Sequence, residues 1–253
     1  MLFYNEITFQ VSGVTALLAV SINLIMGSIV LYRAIKTKER LLFSFFLAVL
    51  FTFSPWYPSG FGYFIWLITQ TFLDQSFYIL LGTIAIPIAI IAWLDVYMTT
   101  IRPQDRKKVL LTFGILSLIF EIYLFYFLYI APDAPVYELL GVIYIDVNPI
   151  DIDYKGFVIV YLAIVVITAV LTGLHFAYVS TKIEERDMLW KGRLLFIGFG
   201  FFGIAAIADS IIELGPIFII LIRIILIISV FCFYTGFLLP KWLRKLLNLP
   251  LSK

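Results

Sequence analysis

Apolar residues fall along this chain in long blocks separated by short polar connections. Seven of the blocks approach the roughly 20 residues that a helix needs to cross the hydrocarbon of a membrane. They cover 9–32, 41–57, 76–99, 109–131, 156–180, 194–212 and 217–239. The pattern predicts an all-α fold: a polytopic bundle of seven transmembrane helices within 1–240, followed by a short basic amphipathic tail, 241–253. Between Arg40 and Asp74 there is no charge, but Pro55-Trp-Tyr-Pro-Ser-Gly60 interrupts the run. The aromatic piece that follows, 61–73, reads as an interfacial or re-entrant segment, because aromatic rings suit the headgroup level. Pro87, five residues after Gly82, predicts a kink in the third span, since proline removes a backbone hydrogen bond.

Composition agrees with the pattern. Of 253 residues, 63% are hydrophobic and 13% charged, with a mean hydropathy of +1.07; a soluble domain of this composition is excluded. The single cysteine, Cys232, forms no intrachain disulfide, and the single histidine, His175, excludes a multi-histidine metal centre. Met1 to Gln10 contains no Lys or Arg and carries Glu6, so the first block is expected to be a retained span rather than a cleaved signal peptide.

Charge supplies an orientation. Arg33, Lys36, Lys38 and Arg40 follow the first span; Arg102, Arg106, Lys107 and Lys108 the third; Lys182, Arg186, Lys191 and Arg193 the fifth; Lys241, Arg244, Lys245 and Lys253 the seventh. Sixteen of the 18 basic residues thus lie beside alternate connections, as the positive-inside rule requires. The other side carries Lys155 and eight acids, and the small formal charge of +2 hides this asymmetry. The expected topology has the amino terminus outside, the carboxyl terminus in the cytoplasm, and the protein in the cell membrane. The longest external connection, 132–156, alternates apolar residues with aspartates from Val142 to Asp153. A short hairpin or lid is expected there. Its acids lack the spacing and glycine of a calcium loop and read as a solvated surface.

Five ionisable side chains fall inside the spans: Asp95, Glu121, His175, Asp209 and Arg223. Such groups are costly in hydrocarbon and are functional candidates for that reason. Counting about 1.5 Å per residue from the basic hem puts Asp95 and His175 about 10 Å in, and Glu121, Asp209 and Arg223 at roughly 20, 24 and 27 Å. Two groups follow. Asp209 and Arg223 are expected to face each other, either as a buried ion pair setting the register of the last two helices or, with Glu121, as an outward-facing polar cavity for a ligand, ion or proton. Asp95 and His175 are expected to form an inner polar pair, an interhelical hydrogen bond or a proton relay.

Catalysis finds little support in these positions. Asp95 and Asp209 lie at different depths and lack the glycine-flanked setting of intramembrane aspartyl peptidases, and His175 lies far from Ser210. A retinal pigment needs a lysine in the seventh span, where this chain has Arg223. No enzymatic activity, cofactor or metal is expected. Gly192, Gly198, Gly200 and Gly203 at the start of the sixth span predict close helix packing. The tail from Lys241 to Leu249 predicts a short helix lying on the inner leaflet.

The basic connection Glu185-Arg-Asp-Met-Leu-Trp-Lys-Gly-Arg193 and the exit Tyr234-Thr-Gly-Phe-Leu-Leu-Pro-Lys-Trp-Leu-Arg244, on seven spans, resemble the seven-transmembrane sensor region of prokaryotic histidine kinases. In that family the exit feeds a cytoplasmic signalling domain; here nine residues follow Arg244, so output is expected to pass through a separate partner. The leading expectation is a sensor or receptor-like membrane protein binding a ligand or ion in an outer polar cavity. The alternatives are a small proton- or ion-coupled transporter and a structural subunit of a larger membrane complex. Expected partners are the lipid bilayer, an unknown small ligand and a cytoplasmic or membrane protein, with no nucleic acid.

Overall fold

The computed structural model describes residues 6–131, 139–211 and 215–250. Seven helical segments are long and apolar enough to cross a membrane: Glu6–Thr37, Arg40–Thr69, Gln75–Ile101, Pro103–Ile130, Gly156–Thr181, Arg186–Ser210 and Pro216–Leu238. The first is one helix, α1 (Glu6–Thr37). The second is α2 (Arg40–Thr52), a 3-10 turn Ser54–Trp56 and α3 (Tyr57–Thr69). The third is α4 (Gln75–Thr83) and α5 (Ile86–Ile101). The fourth is α6 (Arg106–Phe125), extended by a π-helical turn to Ile130. Then come α7 (Gly156–Thr181), α8 (Arg186–Ile211), α9 (Pro216–Leu238) and the short α10 (Lys241–Leu246).

Segment 61–73 departs from the expectation. Instead of lying at an interface it is largely α3, which completes the second span. Pro55 and Pro58 both fall in first turns, of the 3-10 turn and of α3, where a missing N–H costs no hydrogen bond. The prolines therefore bend the path without ending it. Pro87 behaves alike: α4 stops at Thr83, two residues intervene, and α5 restarts with Pro87 in its first turn. The two interruptions meet, because the Ser54 hydroxyl donates to the Gly82 carbonyl at 3.0 Å.

Packing between consecutive elements explains the architecture. Helix α1 packs on α2, α3 and α9, α2 on α5, α5 on α7, α7 on α8, and α8 on α9. These pairings close a ring of six spans, and the fourth, α6, lies outside it against α5 and α7. Accordingly α6 exposes Leu111, Ile115, Leu118, Ile119 and Ile122, the surface of a helix that faces lipid. Three of the four sixth-span glycines are at contacts as expected. A Cβ on Gly192 would meet the Ala177 carbonyl of α7, on Gly198 the Phe233 ring of α9, and on Gly203 the Val170 side chain of α7, whereas Gly200 faces open space.

Basic connections gather at one end of the bundle and acidic ones at the other. At the basic end Arg244 is not part of a solvated hem. It is buried, donating to the Leu239 carbonyl at 3.2 Å, the Pro250 carbonyl at 2.8 Å and Asp187 at 2.5 Å. It thus caps the end of α9. The other face of α10 leaves Trp242 and Leu246 exposed, which suits a helix lying on a bilayer surface.

Candidate functional site

At the acidic end the connection before α7 folds back into the bundle. Gly141–Val142 (β1) pairs antiparallel with Asp153–Tyr154 (β2), Gly141 opposite Tyr154, so the expected hairpin is present. Asp133, Glu138 and Glu213 lie outside the described residues. Between the strands the chain dips, and Ile150 is fully buried against Phe9 and Tyr63. Side-chain bonds to its backbone tether this loop to two spans, the third and the fourth. The Tyr78 hydroxyl donates to the Ile150 carbonyl at 2.8 Å, Gln75 Nε2 to the Gly141 carbonyl at 2.8 Å, and the Tyr123 hydroxyl to the Leu139 carbonyl at 2.8 Å. Gly156 closes the loop with φ +55°, where a Cβ would also strike the Leu139 carbonyl, so only glycine fits without strain.

Beneath this loop lies the expected acid and base. Arg223 Nη1 donates to Asp209 Oδ2 at 3.2 Å, with the Arg223 side chain 3% and the Asp209 side chain 22% exposed. Trp56 Nε1 donates to the same carboxylate oxygen at 2.7 Å, and the guanidinium lies 5.9 Å from the Trp56 ring centroid. The broken second span thus delivers an indole to the ion pair of the last two helices. Arg223 Nε is buried with no hydrogen-bond partner among the described residues, and so is the Tyr154 hydroxyl. Tyr154 sits against the other helix break, its hydroxyl 2.3 Å from where a Gly82 Cβ would be.

The third member of this group is not Glu121. No hydrogen bond or ion pair joins Glu121 to Asp209 or Arg223 among the described residues. Among the described residues its Oε2 is buried without a partner. Counting residues gives depth but not azimuth, and the fourth span stands outside the ring. The acid within electrostatic range of Asp209 and Arg223 is Asp151 of the loop, which the sequence reading placed on a solvated surface. Asp151 is exposed, and its Oδ1 accepts from the Ile152 N–H at 3.0 Å. Desolvation by the surrounding loop, with the like charge of Asp209 second, pushes its carboxyl upward against the pull of Arg223, and its exposure to water limits the shift. The same burial raises the Tyr154 hydroxyl. The alternation of apolar and acidic residues around Ile150 was the available signal for a loop with one face inward.

The inner pair is likewise rearranged. Asp95 is bound by Arg106 through Nε at 2.7 Å and through Nη2, by the Ser44 hydroxyl at 3.1 Å, and by Arg40 at 3.6 Å. His175 Nδ1 instead meets the Tyr97 hydroxyl at 2.9 Å on an exposed face. Of the arginines counted as a cytoplasmic hem, Arg106 turns inward onto Asp95 and Arg40 reaches it from the surface, joining the starts of α2 and α6 to α5. Between the two polar ends the interior is largely aromatic, with Phe53 on Phe202 at 5.9 Å, Trp93 on Phe199 at 4.7 Å and Phe199 on Phe233 at 4.7 Å between ring centroids; its buried polar groups are uncharged and bonded within the bundle, as Asn23 is to the Tyr57 hydroxyl at 3.0 Å and Ser229 to the Gly198 carbonyl at 3.0 Å. Among the described residues there is no cluster of three potential metal ligands. Comparison with protein-family models, curated proteins and solved structures finds no match for the chain.

Proposed function

We propose that this is a sensor or receptor-like protein of the cell membrane. Its acidic end faces outward and its basic end the cytoplasm; it takes a small ligand or ion at the Asp209, Arg223 and Trp56 site and passes its state to a separate protein. The observation that carries this reading is the state of Arg223. Among the described residues, a guanidinium that is 3% exposed has one hydrogen bond, to Asp209, and a buried Nε without a partner. A buried charge with unfilled hydrogen-bonding capacity is costly to maintain. Its position at the meeting of two broken helices lets a change at the site alter how they pack. The aromatic packing between the two polar ends favours sensing over carriage of a solute, which needs a polar path through the bundle.

Purification in mild detergent with mass measurement of the intact assembly tests the proposal. A small molecule or stoichiometric protein retained by the wild type and lost from Arg223→Gln is the expected result. Solute or ion flux in proteoliposomes that Arg223→Gln abolishes would replace it with the carrier reading.

A further inference from the structure

We infer that the basic end of the bundle binds one anionic phospholipid, with its phosphate on Arg33 and Lys191 and an acyl chain along the outer face of α1. The site lies at the opposite end from Asp209 and Arg223 and is independent of what binds there. Cations from three helices converge where α9 stops. Arg33 Nη1 of α1 donates to the Leu238 carbonyl at 3.4 Å, and Arg244 Nε of α10 to the next carbonyl, that of Leu239, at 3.2 Å. Arg244 also holds Asp187 of α8 at 2.5 Å, and Lys191 follows Asp187 by four residues, one turn along the same face. Lys191 is half-buried, has no hydrogen bond or ion pair among the described residues, and lies in the field of both arginines. Glu185 faces it from the exposed connection before α8. Within the group the one acid, Asp187, is already engaged, so Arg33, Lys191 and Arg244 leave a formal excess of two positive charges. The carbonyls at the end of α9 offset part of it. A partly desolvated ammonium beside two guanidiniums is costly without a counter-ion.

The outer face of α1 runs into this group. Leu24, Ile25, Ser28, Ile29 and Tyr32 line an open groove of about 430 Å³, and Arg33 stands four residues beyond Ile29, on the neighbouring turn at the groove's basic end. The Ser28 hydroxyl already bonds the Leu24 carbonyl at 2.7 Å, which leaves the groove wall apolar up to Tyr32, whose ring suits the headgroup level. A free phosphate would use the cations alone. A phospholipid uses both the cations and the apolar groove beside them, and basic recesses between spans at a membrane surface hold phosphorylated head groups in this way.

The test is native mass spectrometry of the full chain released from detergent and titrated with phosphatidylglycerol, phosphatidylcholine or inorganic phosphate. Phosphatidylglycerol is expected to bind about tenfold more tightly than phosphatidylcholine, and Arg33→Gln with Lys191→Gln to remove that preference. Lys107→Gln with Lys108→Gln takes the same charge from exposed positions at the same end, away from the site, and is expected to keep it. Ser28→Trp fills the groove from an exposed position without changing charge and is expected to weaken phosphatidylglycerol binding while leaving the melting temperature unchanged. Equal binding of the two lipids by the wild type overturns the site, and so does an equal loss in the Lys107 and Lys108 variant, which would show diffuse surface charge alone. Inorganic phosphate that displaces phosphatidylglycerol at equal concentration, with Ser28→Trp without effect, overturns the lipid in favour of a free anion. Arg33→Gln alone, at an exposed position, serves where the double variant does not fold; a preference unchanged in both Arg33→Gln and Ser28→Trp overturns the site.

Discussion

Asp209 and Arg223 are 14 residues apart in sequence and 3.2 Å apart in space. The physics of a membrane interior makes this pairing readable: a charge in hydrocarbon that lacks a countercharge is expelled or neutralised. Removing one partner leaves the other buried. We expect Arg223→Ala or Asp209→Ala to cost about 3 kcal/mol in unfolding measured in detergent. The double substitution is expected to cost less than the sum, and additive losses would show that the pair does not couple. Trp56 and Tyr78 are less visible as site residues, because an aromatic in an apolar run has many possible roles. Tyr78→Phe removes the donor to the Ile150 carbonyl and a bond with Ser59. It is expected to cost about 1–3 kcal/mol and to raise hydrogen exchange in 139–155 more than in α7 or α8.

Helix interruptions decide what the elements can do. Prolines at 55, 58 and 87 are plain in the sequence, but their effect depended on where each fell relative to a helix start. In first turns they let the second and third spans continue past the break, bringing Ser54 against the Gly82 carbonyl. Ser54→Ala leaves that carbonyl without its buried donor and is expected to lower stability by about 1 kcal/mol or more. Close helix contacts give a second test. A Cβ on Gly173 would lie 2.2 Å from the Phe199 ring, so Gly173→Ala should destabilise the α7 and α8 contact by about 1–3 kcal/mol. An unchanged melting temperature would mean the ring moves aside freely.

For the whole molecule, the ring of six spans with α6 outside it places the polar groups at two separated ends. Sidedness is testable without knowing a ligand. In a Cys232→Ser background, single cysteines replacing exposed Val147 and Lys245 are expected to react with an impermeant thiol reagent from opposite sides, Val147→Cys from outside intact cells. Labelling of both from one side would refute the topology inferred from the basic residues.

Hydrophobic block length and the distribution of Lys and Arg are local properties, so seven apolar helices, their order and the segregation of charge into two ends were determined by the sequence itself. Depth, too, scales with residue count along a helix. Azimuth does not: which face of each helix turns inward depends on the packing of all its neighbours. For that reason only the tertiary structure could separate Glu121 from Asp209 and Arg223, give Asp95 to Arg106 rather than to His175, and bury Arg244. The loop is the clearest case. Its residues look solvated one by one, and only the tertiary structure inserts Ile150 between Phe9 and Tyr63 and pins the loop over the helix ends.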